Sequence, residues 1–263
     1  MRPVHHFNHA IVRTPARSVS RGLRAHDRGD PSYAGIAGEH DAYVAALRAA
    51  GVEVTVLPSL EAFPDSIFVE DPALVFTEGA ILLRPGAPSR VDETAEIAPT
   101  LREMFDVVLD LPAGGFADGG DVLTSPDAVL IGLSARTDAA GAAALRGCLD
   151  KLGRKSELVE TPKGVLHFKT DCSLIDERTI LTTRRLAASG IFDGRFREIL
   201  VPEGEEAAAN SLRVNDVVLV GREYPRTIDL LTSEGYSVVA TPVGEIGKID
   251  AGLSCMSLRW FAR

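Results

Sequence analysis

The chain has 263 residues, of which 45% are hydrophobic and 25% are charged, and its formal net charge is −9. This composition is typical of an ordinary globular protein, and no apolar run is long enough to span a bilayer. The acidic charge and the scattered lysines and arginines argue against nucleic acid as a partner and permit a cationic small molecule. From the length we expect one domain, residues 1–263. Three cysteines cannot all pair and the amino terminus lacks an apolar signal stretch, so we expect a reducing, cytoplasmic location.

Short β-branched segments and amphipathic helices alternate along the chain. Apolar residues at helical spacing, each followed by glycine, predict helices at 39–51, 139–153 and 225–235. The segment 14–35 has no clean period and is rich in Gly, Ser, Pro and charge, so we expect a lid loop there. Strands are predicted, in chain order, at V-E-V-T-V-L-P from 52, I-F-V from 67, A-I-L-L from 80, V-V-L-D-L from 107, A-V-L-I from 128, L-H-F from 166, T-I-L-T-T from 179, V-V-L-V from 217 and S-V-V-A from 237.

The order of these elements repeats along the chain. A strand with a polar residue near its start is followed by a turn, a second strand, a helix and a third strand, and the unit recurs about every 45 to 50 residues, as in repeat arrays and propellers. The polar markers are Asp71, Asp118, His167, Asn210 and Cys255. If five such modules surround a common axis, the markers converge there. The last strand must then pair beside H-A-I-V-R near the amino terminus to close the ring.

Three of these markers carry the side chains that nucleophilic catalysis requires. A cysteine thiolate is a strong nucleophile, a histidine can transfer protons, and a carboxylate can orient the imidazole. Cys255, His167 and Asp118 supply these groups. For each residue alone a place in the core is the commoner explanation, and their shared position in the repeat favours catalysis. Cys148 on an apolar helix face is interpreted as a small hydrophobe, and Cys172 as part of a strand.

A second feature is the acidic stretch F-P-D-S-I-F-V-E-D-P from 63. Asp65, Glu70 and Asp71 lie together with no Lys or Arg among them, so we expect them to bind a cation at the end of a buried strand, although a solvated strand end is the alternative. A zinc site would contain more His or Cys, and a hard-cation site would spread its oxygens differently. A planar guanidinium fits these carboxylates better, and no metal is expected.

Two arginines could bind the other end of such a ligand. Arg90 ends R-P-G-A-P-S-R, and Arg136 lies in G-L-S-A-R-T before a helix. Both occupy loops near strand ends, where a substrate carboxylate could be held in a bidentate contact. The alternative is that each is an ordinary surface arginine.

Taken together and in order, the motifs resemble the dimethylarginine dimethylaminohydrolase family of the guanidine-modifying amidinotransferase superfamily. The resemblance covers essentially the whole chain and implies a five-bladed α/β propeller, or pentein, of ββαβ modules around a pseudo-fivefold axis. Two departures are Asp118, where some members have Glu, and Ala251, where glycine is frequent beside the nucleophile. The matching motifs are R-T-P-A-R-S with G-L, F-P-D-S-I-F-V-E-D-P, R-P-G-A-P-S-R, D-G-G-D, G-L-S-A-R-T, V-L-H-F-K-T, A-A-N and K-I-D-A-G-L-S-C-M-S-L-R.

The resemblance implies cleavage of asymmetric dimethylarginine and monomethylarginine to citrulline and an alkylamine, with no cofactor. An arginine deiminase and a non-catalytic pentein binding protein are the alternatives, and the sequence leaves open whether the chain forms a homodimer. The implied roles are Cys255 as nucleophile, His167 as general acid and base, Asp118 as its orienting acid, Asp65, Glu70 and Asp71 around the guanidinium, Arg90 and Arg136 on the α-carboxylate, Leu23 in the lid, and the Ile249 carbonyl with Asp250 on the α-amine. We expect Phe68 and Leu23 to form apolar walls beside the methyl groups.

Overall fold

The predicted modules form five three-stranded sheets in the computed structural model, which describes residues 2–263. Each middle strand pairs antiparallel with one neighbour and parallel with the other. Over these residues the strands are β1 (His9–Arg13), β2 (Glu53–Leu57), β3 (Ala73–Phe76), β4 (Gly79–Leu82), β5 (Val108–Asp110), β6 (Val122–Thr124), β7 (Val129–Leu133), β8 (Ser156–Glu160), β9 (Cys172–Leu174), β10 (Thr179–Thr182), β11 (Arg197–Leu200), β12 (Leu212–Val214), β13 (Val217–Gly221), β14 (Val238–Thr241) and β15 (Leu258–Trp260).

A helix connects the two parallel strands of each sheet, because parallel neighbours need a crossover. The α-helices are α1 (Tyr33–Ala49), α2 (Glu93–Met104), α3 (Ala139–Lys151), α4 (Arg184–Ala187) and α5 (Pro225–Ser233). Short 3₁₀ segments lie at Arg17–Arg21, Pro88–Arg90, Gly119–Asp121, Phe168–Thr170, Glu206–Ala209, Ile246–Ile249 and Ser254–Met256. The ββαβ module and the pentein architecture are therefore confirmed.

The ring closes through the two ends of the chain. β15 pairs antiparallel with β1, so that His9 lies opposite Trp260 and Ile11 opposite Leu258. The Asn8 side chain donates to the Ala262 carbonyl at 2.9 Å and accepts from the Ala262 amide at 2.7 Å. The first sheet is thus built from both termini, as the repeat predicted.

The apolar core lies between the modules and beneath the helices. The inner strands β3 and β4 are buried along their whole length, whereas the outer strands β2 and β8 are partly exposed. In one cluster Tyr43 of α1 packs with Val12 of β1 and Leu219 of β13, which joins the first and last modules. Burial is therefore concentrated near the ring axis, where the marker residues also lie.

Several local predictions were wrong. The helix expected from residue 39 begins at Tyr33, because the Ser32 side chain caps it by accepting from the Gly35 amide at 3.0 Å. The strand expected from Ile67 is a buried series of turns in which the Phe68 amide donates to the Asp65 carbonyl. The strand expected at 166–168 is replaced by the 3₁₀ turn Phe168–Thr170.

Two strands, β8 and β11, were not predicted. Both are outer strands, and their sequences S-E-L-V-E and R-E-I-L contain only two apolar residues each and no long β-branched run. Among the described residues, no helix combines the length and hydropathy that a bilayer crossing requires.

Candidate active site

The turns that precede the first strand of each module bring the marker residues together. Single side-chain atoms of Asp71, Asp118 and His167 all lie within 4.8 Å of one another. Asn210 Nδ2 lies 3.7 Å from Cys255 Sγ. The 3₁₀ turns after Asp118 and His167 also contact each other. Residues that are far apart in sequence therefore form one site, as the repeat predicted.

His167 and Asp118 form a buried acid–base pair. His167 Nε2 lies 2.9 Å from Asp118 Oδ2, and Asp118 is fully buried. Asp118 Oδ1 accepts from the Gly86 amide at 2.6 Å, which fixes the carboxylate. A Cβ atom at Gly120 would lie 2.8 Å from Nδ1 of the imidazole, so only glycine leaves room for the ring. The imidazole is consequently held in one orientation.

The electrostatics of this pair favour an imidazolium. Burial alone would lower the pKa of His167, but Asp71, the hydrogen bond to Asp118 and the nearby Asp121 together raise that pKa to about 9. At neutral pH His167 is therefore protonated. A histidine in this state can donate a proton to a leaving group.

Asp71 faces both His167 and Arg90. Its Oδ1 accepts from the Gly120 amide at 3.2 Å, and its Oδ2 is paired with Arg90 Nη1. Burial opposes the charge on Asp71, yet Arg90 and His167 outweigh burial and lower its pKa. Arg90 is itself buried and also pairs with Glu93 at 2.7 Å. The expectation that Asp71 lacks a basic neighbour was wrong, and the contact of Arg90 with a substrate carboxylate stays a prediction.

Glu70 is also compensated by the chain itself. Lys169 Nζ lies 2.6 Å and Arg259 Nη2 lies 3.2 Å from its Oε1, and Ser254 Oγ lies 3.2 Å from its Oε2. The sequence reasoning that treated Glu70 as uncompensated was therefore wrong. Both cations come from other modules, so the local sequence around Glu70 held no sign of them.

Asp65 differs from the other two carboxylates because no Lys or Arg forms a salt bridge with its side chain within residues 2–263. Its Oδ1 accepts from the Leu23 amide at 2.9 Å. Burial raises its pKa, and Arg90 only partly offsets this effect. A cationic group beside Asp65 would stabilise its ionised form.

Cys255 lies in the 3₁₀ turn Ser254–Met256 and is partly buried. Burial raises the pKa of its thiol, and the negative charges of Glu70 and Asp71 add to the effect, so that the pKa reaches about 11. The thiol is therefore protonated at neutral pH. Cys148 and Cys172 are buried in apolar clusters, and burial raises the thiol pKa of each, as expected for structural cysteines.

The segment predicted as a lid is attached to the loop before the nucleophile. Asp250, which has a left-handed backbone with φ of 55°, accepts at Oδ2 from the Ala25 amide at 2.5 Å and from the His26 amide at 3.3 Å. Leu23 is 40% exposed, which suits a residue at the rim of the site, while Ile249 is buried just before Asp250. The lid and the nucleophile loop are thus joined directly.

Two further predicted site residues, Arg136 and Phe68, lie at the edge of the site and in the apolar core, respectively. Arg136 is partly exposed, and its Nη1 lies 3.8 Å from Asp118 Oδ2, so it borders the catalytic pair. Phe68 is 4% exposed and packs in the apolar cluster with Val19 and Ile36. Its role as a substrate wall stays a prediction, because its side chain already serves the core.

The comparisons with known proteins agree with this arrangement. A model of the family described as "N,N dimethylarginine dimethylhydrolase, eukaryotic" matches residues 30–152. N(G),N(G)-dimethylarginine dimethylaminohydrolase of Pseudomonas aeruginosa is 40% identical over 97% of this chain and 100% of its own length. The enzyme of the same name from Streptomyces coelicolor is 33% identical over 95% of this chain and 96% of its own.

The chain belongs to the dimethylarginine dimethylaminohydrolase family.

Solved structures of this family have the same fold. A cysteine-to-serine mutant of the Pseudomonas aeruginosa enzyme complexed with citrulline has a TM-score of 0.93 at 40% identity, over 97% of this chain and 99% of its own. A dimethylarginine dimethylaminohydrolase adduct with S-methyl-L-thiocitrulline has a TM-score of 0.92, over 96% of this chain and 99% of its own. The N-terminal domain of ArgZ, an arginine dihydrolase, shares only the fold, with a TM-score of 0.83 at 18% identity.

Replacing Asp118 by Asn should lower the pKa of His167 from about 9, because the neutral amide removes one of the carboxylates that stabilise the imidazolium. The measurement is a pH titration of the imidazole nitrogens by NMR, with the signal assigned through His167→Gln. Asp127→Asn, in the exposed turn between β6 and β7, is the matched control and should leave the titration unchanged. An unaltered His167 titration in the Asp118 variant would contradict the assigned pairing.

Proposed function

We propose that this protein hydrolyses asymmetric dimethylarginine and monomethylarginine to citrulline, releasing dimethylamine or methylamine. The observation that carries the proposal is the 2.9 Å contact between His167 and Asp118 in one site with a partly exposed cysteine whose carbonyl accepts from the amide of buried Glu70. A guanidinium is a planar cation with which such carboxylates can form charge-assisted hydrogen bonds. Family membership supports the same reaction.

Substrate binding would generate the nucleophile. Glu70 and Asp71 oppose ionisation of Cys255, and a guanidinium placed between the thiol and the carboxylates cancels part of that field. We assign Asp65 and Asp71 to the guanidinium, because both are buried and face the site from one segment. Glu70 is paired with Lys169 and Arg259, and its role is to oppose ionisation of Cys255 until the guanidinium binds. The thiol proton passes to solvent as the cation binds, because His167 is already protonated.

Once the thiol has ionised, Cys255 and His167 are both in the protonation states that the chemical steps require. Cys255 sulfur attacks the central guanidinium carbon and forms a tetrahedral adduct. The His167 imidazolium donates its proton to the departing dimethylamine, which leaves a thiouronium on Cys255. Neutral His167 then accepts a proton from water, the resulting hydroxide attacks the same carbon, and the C–S bond breaks to release citrulline. Asp118 keeps the imidazole oriented throughout.

The remaining predicted residues would bind the amino-acid end and the methyl groups. We assign Arg136 to the α-carboxylate, with Arg90 beside it, since Arg136 is the more exposed of the two. The Ile249 carbonyl and Asp250 are assigned to the α-amine, next to the lid. Leu23, and at greater depth Phe68, would contact the methyl groups and disfavour unmethylated arginine, whose extra N–H donors would be left unpaired.

The direct test is amine release by purified protein from asymmetric dimethylarginine and from arginine. Dimethylamine should be released much faster than ammonia, and Cys255→Ser should abolish turnover without loss of the folded state, because a serine hydroxyl is a poor nucleophile at neutral pH. Cys172→Ser is the matched control and should retain the chemistry. Faster release of ammonia from arginine would identify a deiminase instead, and turnover by Cys255→Ser would exclude the covalent route.

Arg136→Lys should raise KM for dimethylarginine about 10- to 150-fold with a smaller change in kcat, which corresponds to the loss of about 1.5 to 3 kcal/mol from a charge-assisted contact. A lysine keeps the charge but lacks the planar fork. Steady-state kinetics provide the measurement, with the exposed Arg146→Lys on α3 as control. An unchanged KM in the Arg136 variant would show that the α-carboxylate binds elsewhere.

A further inference from the structure

We propose that Asn210 stabilises the thiolate of Cys255 by donating a hydrogen bond from its side-chain amide to the sulfur. Asn210 Nδ2 lies 3.7 Å from Sγ, within range for a sulfur acceptor. The inference rests on the proposed role of Cys255 as nucleophile and adds a residue to which that mechanism gives no part. Asn210 marks the module that contains β12, β13 and β14, and it reaches the site from the turn before β12.

The orientation of the amide is fixed by a second contact. Asn210 Oδ1 lies 3.1 Å from the backbone amide nitrogen of Ser254, which can only donate. The carbonyl oxygen must therefore face Ser254, and the NH₂ group must face Cys255. The two contacts reach adjacent residues of one 3₁₀ turn, so a single side chain holds both the turn and the sulfur.

The surroundings leave the amide little freedom. Asn210 is 9% exposed. A Cβ atom at Gly252 would lie 2.4 Å from Asn210 Cγ and 2.6 Å from Nδ2, so the glycine three residues before the nucleophile is what gives the amide its space. Because its rotamer is restrained, the donor does not need to be reorganised when the sulfur ionises.

A neutral donor suits this position better than a charged one. The sulfur lies in the field of Glu70 and Asp71, which oppose thiolate formation. A lysine or arginine in place of Asn210 would favour the thiolate but would repel the guanidinium that must bind beside it. An amide N–H stabilises a negative sulfur without adding a net charge. Asn210 therefore helps the nucleophile without competing with the cationic substrate.

The test measures the rate of Cys255 alkylation by iodoacetamide as a function of pH, followed by mass spectrometry of the peptide that contains Cys255. This assay needs no substrate, so its outcome is independent of whether methylarginines are the substrates. Asn210→Ala should lower the alkylation rate at neutral pH about tenfold and shift the profile upward by about one pH unit. Asn210→Asp keeps an oxygen for the Ser254 amide but replaces the donor with a charge, and should lower the rate further.

The pH dependence separates the electrostatic role from a structural one. If Asn210 only held the turn, Asn210→Ala would change the limiting alkylation rate at high pH but keep the wild-type midpoint, and that result would overturn the proposal. Ser211→Ala is the matched control, because Ser211 is buried next to Asn210 but donates to the Ala208 carbonyl instead of the sulfur. Its profile should equal that of the wild type. Thermal melting identifies variants that fail to fold, and Asn210→Leu, which is uncharged, similar in size and without a donor, carries the test if the Ala variant does not fold.

Discussion

The excess of buried carboxylates around the ring axis is the constraint on which the site depends. Asp71, Asp118 and Asp121 are almost fully buried, and such charges are stable only when cations or hydrogen-bond donors compensate them. Within the site His167 supplies part of that compensation, so its pKa is raised. The same negative field raises the pKa of Cys255. Without substrate, His167 is therefore protonated and the Cys255 thiol is not ionised. In the proposed mechanism Cys255 becomes a nucleophile only when a cation binds.

This arrangement links recognition to reactivity. A guanidinium bound among the carboxylates would lower the pKa of the thiol, and an uncharged ligand of similar shape would not. In the proposed mechanism a cationic substrate is therefore favoured in the chemical step as well as in binding. Lys169 and Arg259 hold Glu70 away from direct competition for the guanidinium, yet leave its charge near the sulfur.

The ring fold builds the site from a marker residue of each module. The marker residues lie in turns that precede buried first strands, so the strands fix their positions while the turns let side chains from different modules contact one another. Close approach between modules requires glycine at specific points. A Cβ atom at Gly119 would lie 2.0 Å from the Glu70 carbonyl oxygen, so the two modules could not meet with a larger residue there. Pairing of β15 with β1 completes the ring, and the Glu70 amide donates to the Cys255 carbonyl at 3.2 Å.

The sequence predicted the repeat, the ring closure and the pairing of His167 with Asp118, because one residue from each module occupies an equivalent place. It failed where contacts cross between modules. Lys169 and Arg259 compensate Glu70 from about 100 and 190 residues away, and no local pattern records such a pair. Asn210 was recognised as a marker, but its contact with sulfur depends on the space left by Gly252. The outer strands β8 and β11 were missed because solvent exposure removes their apolar pattern.

The most direct test of the covalent mechanism is mass spectrometry of protein quenched in acid within the first turnover of asymmetric dimethylarginine. The mechanism predicts a mass increase on the peptide containing Cys255 that equals the substrate minus dimethylamine, and it should decay as citrulline appears. A burst of dimethylamine equal to the concentration of active sites, with no mass added to Cys255, would contradict the account.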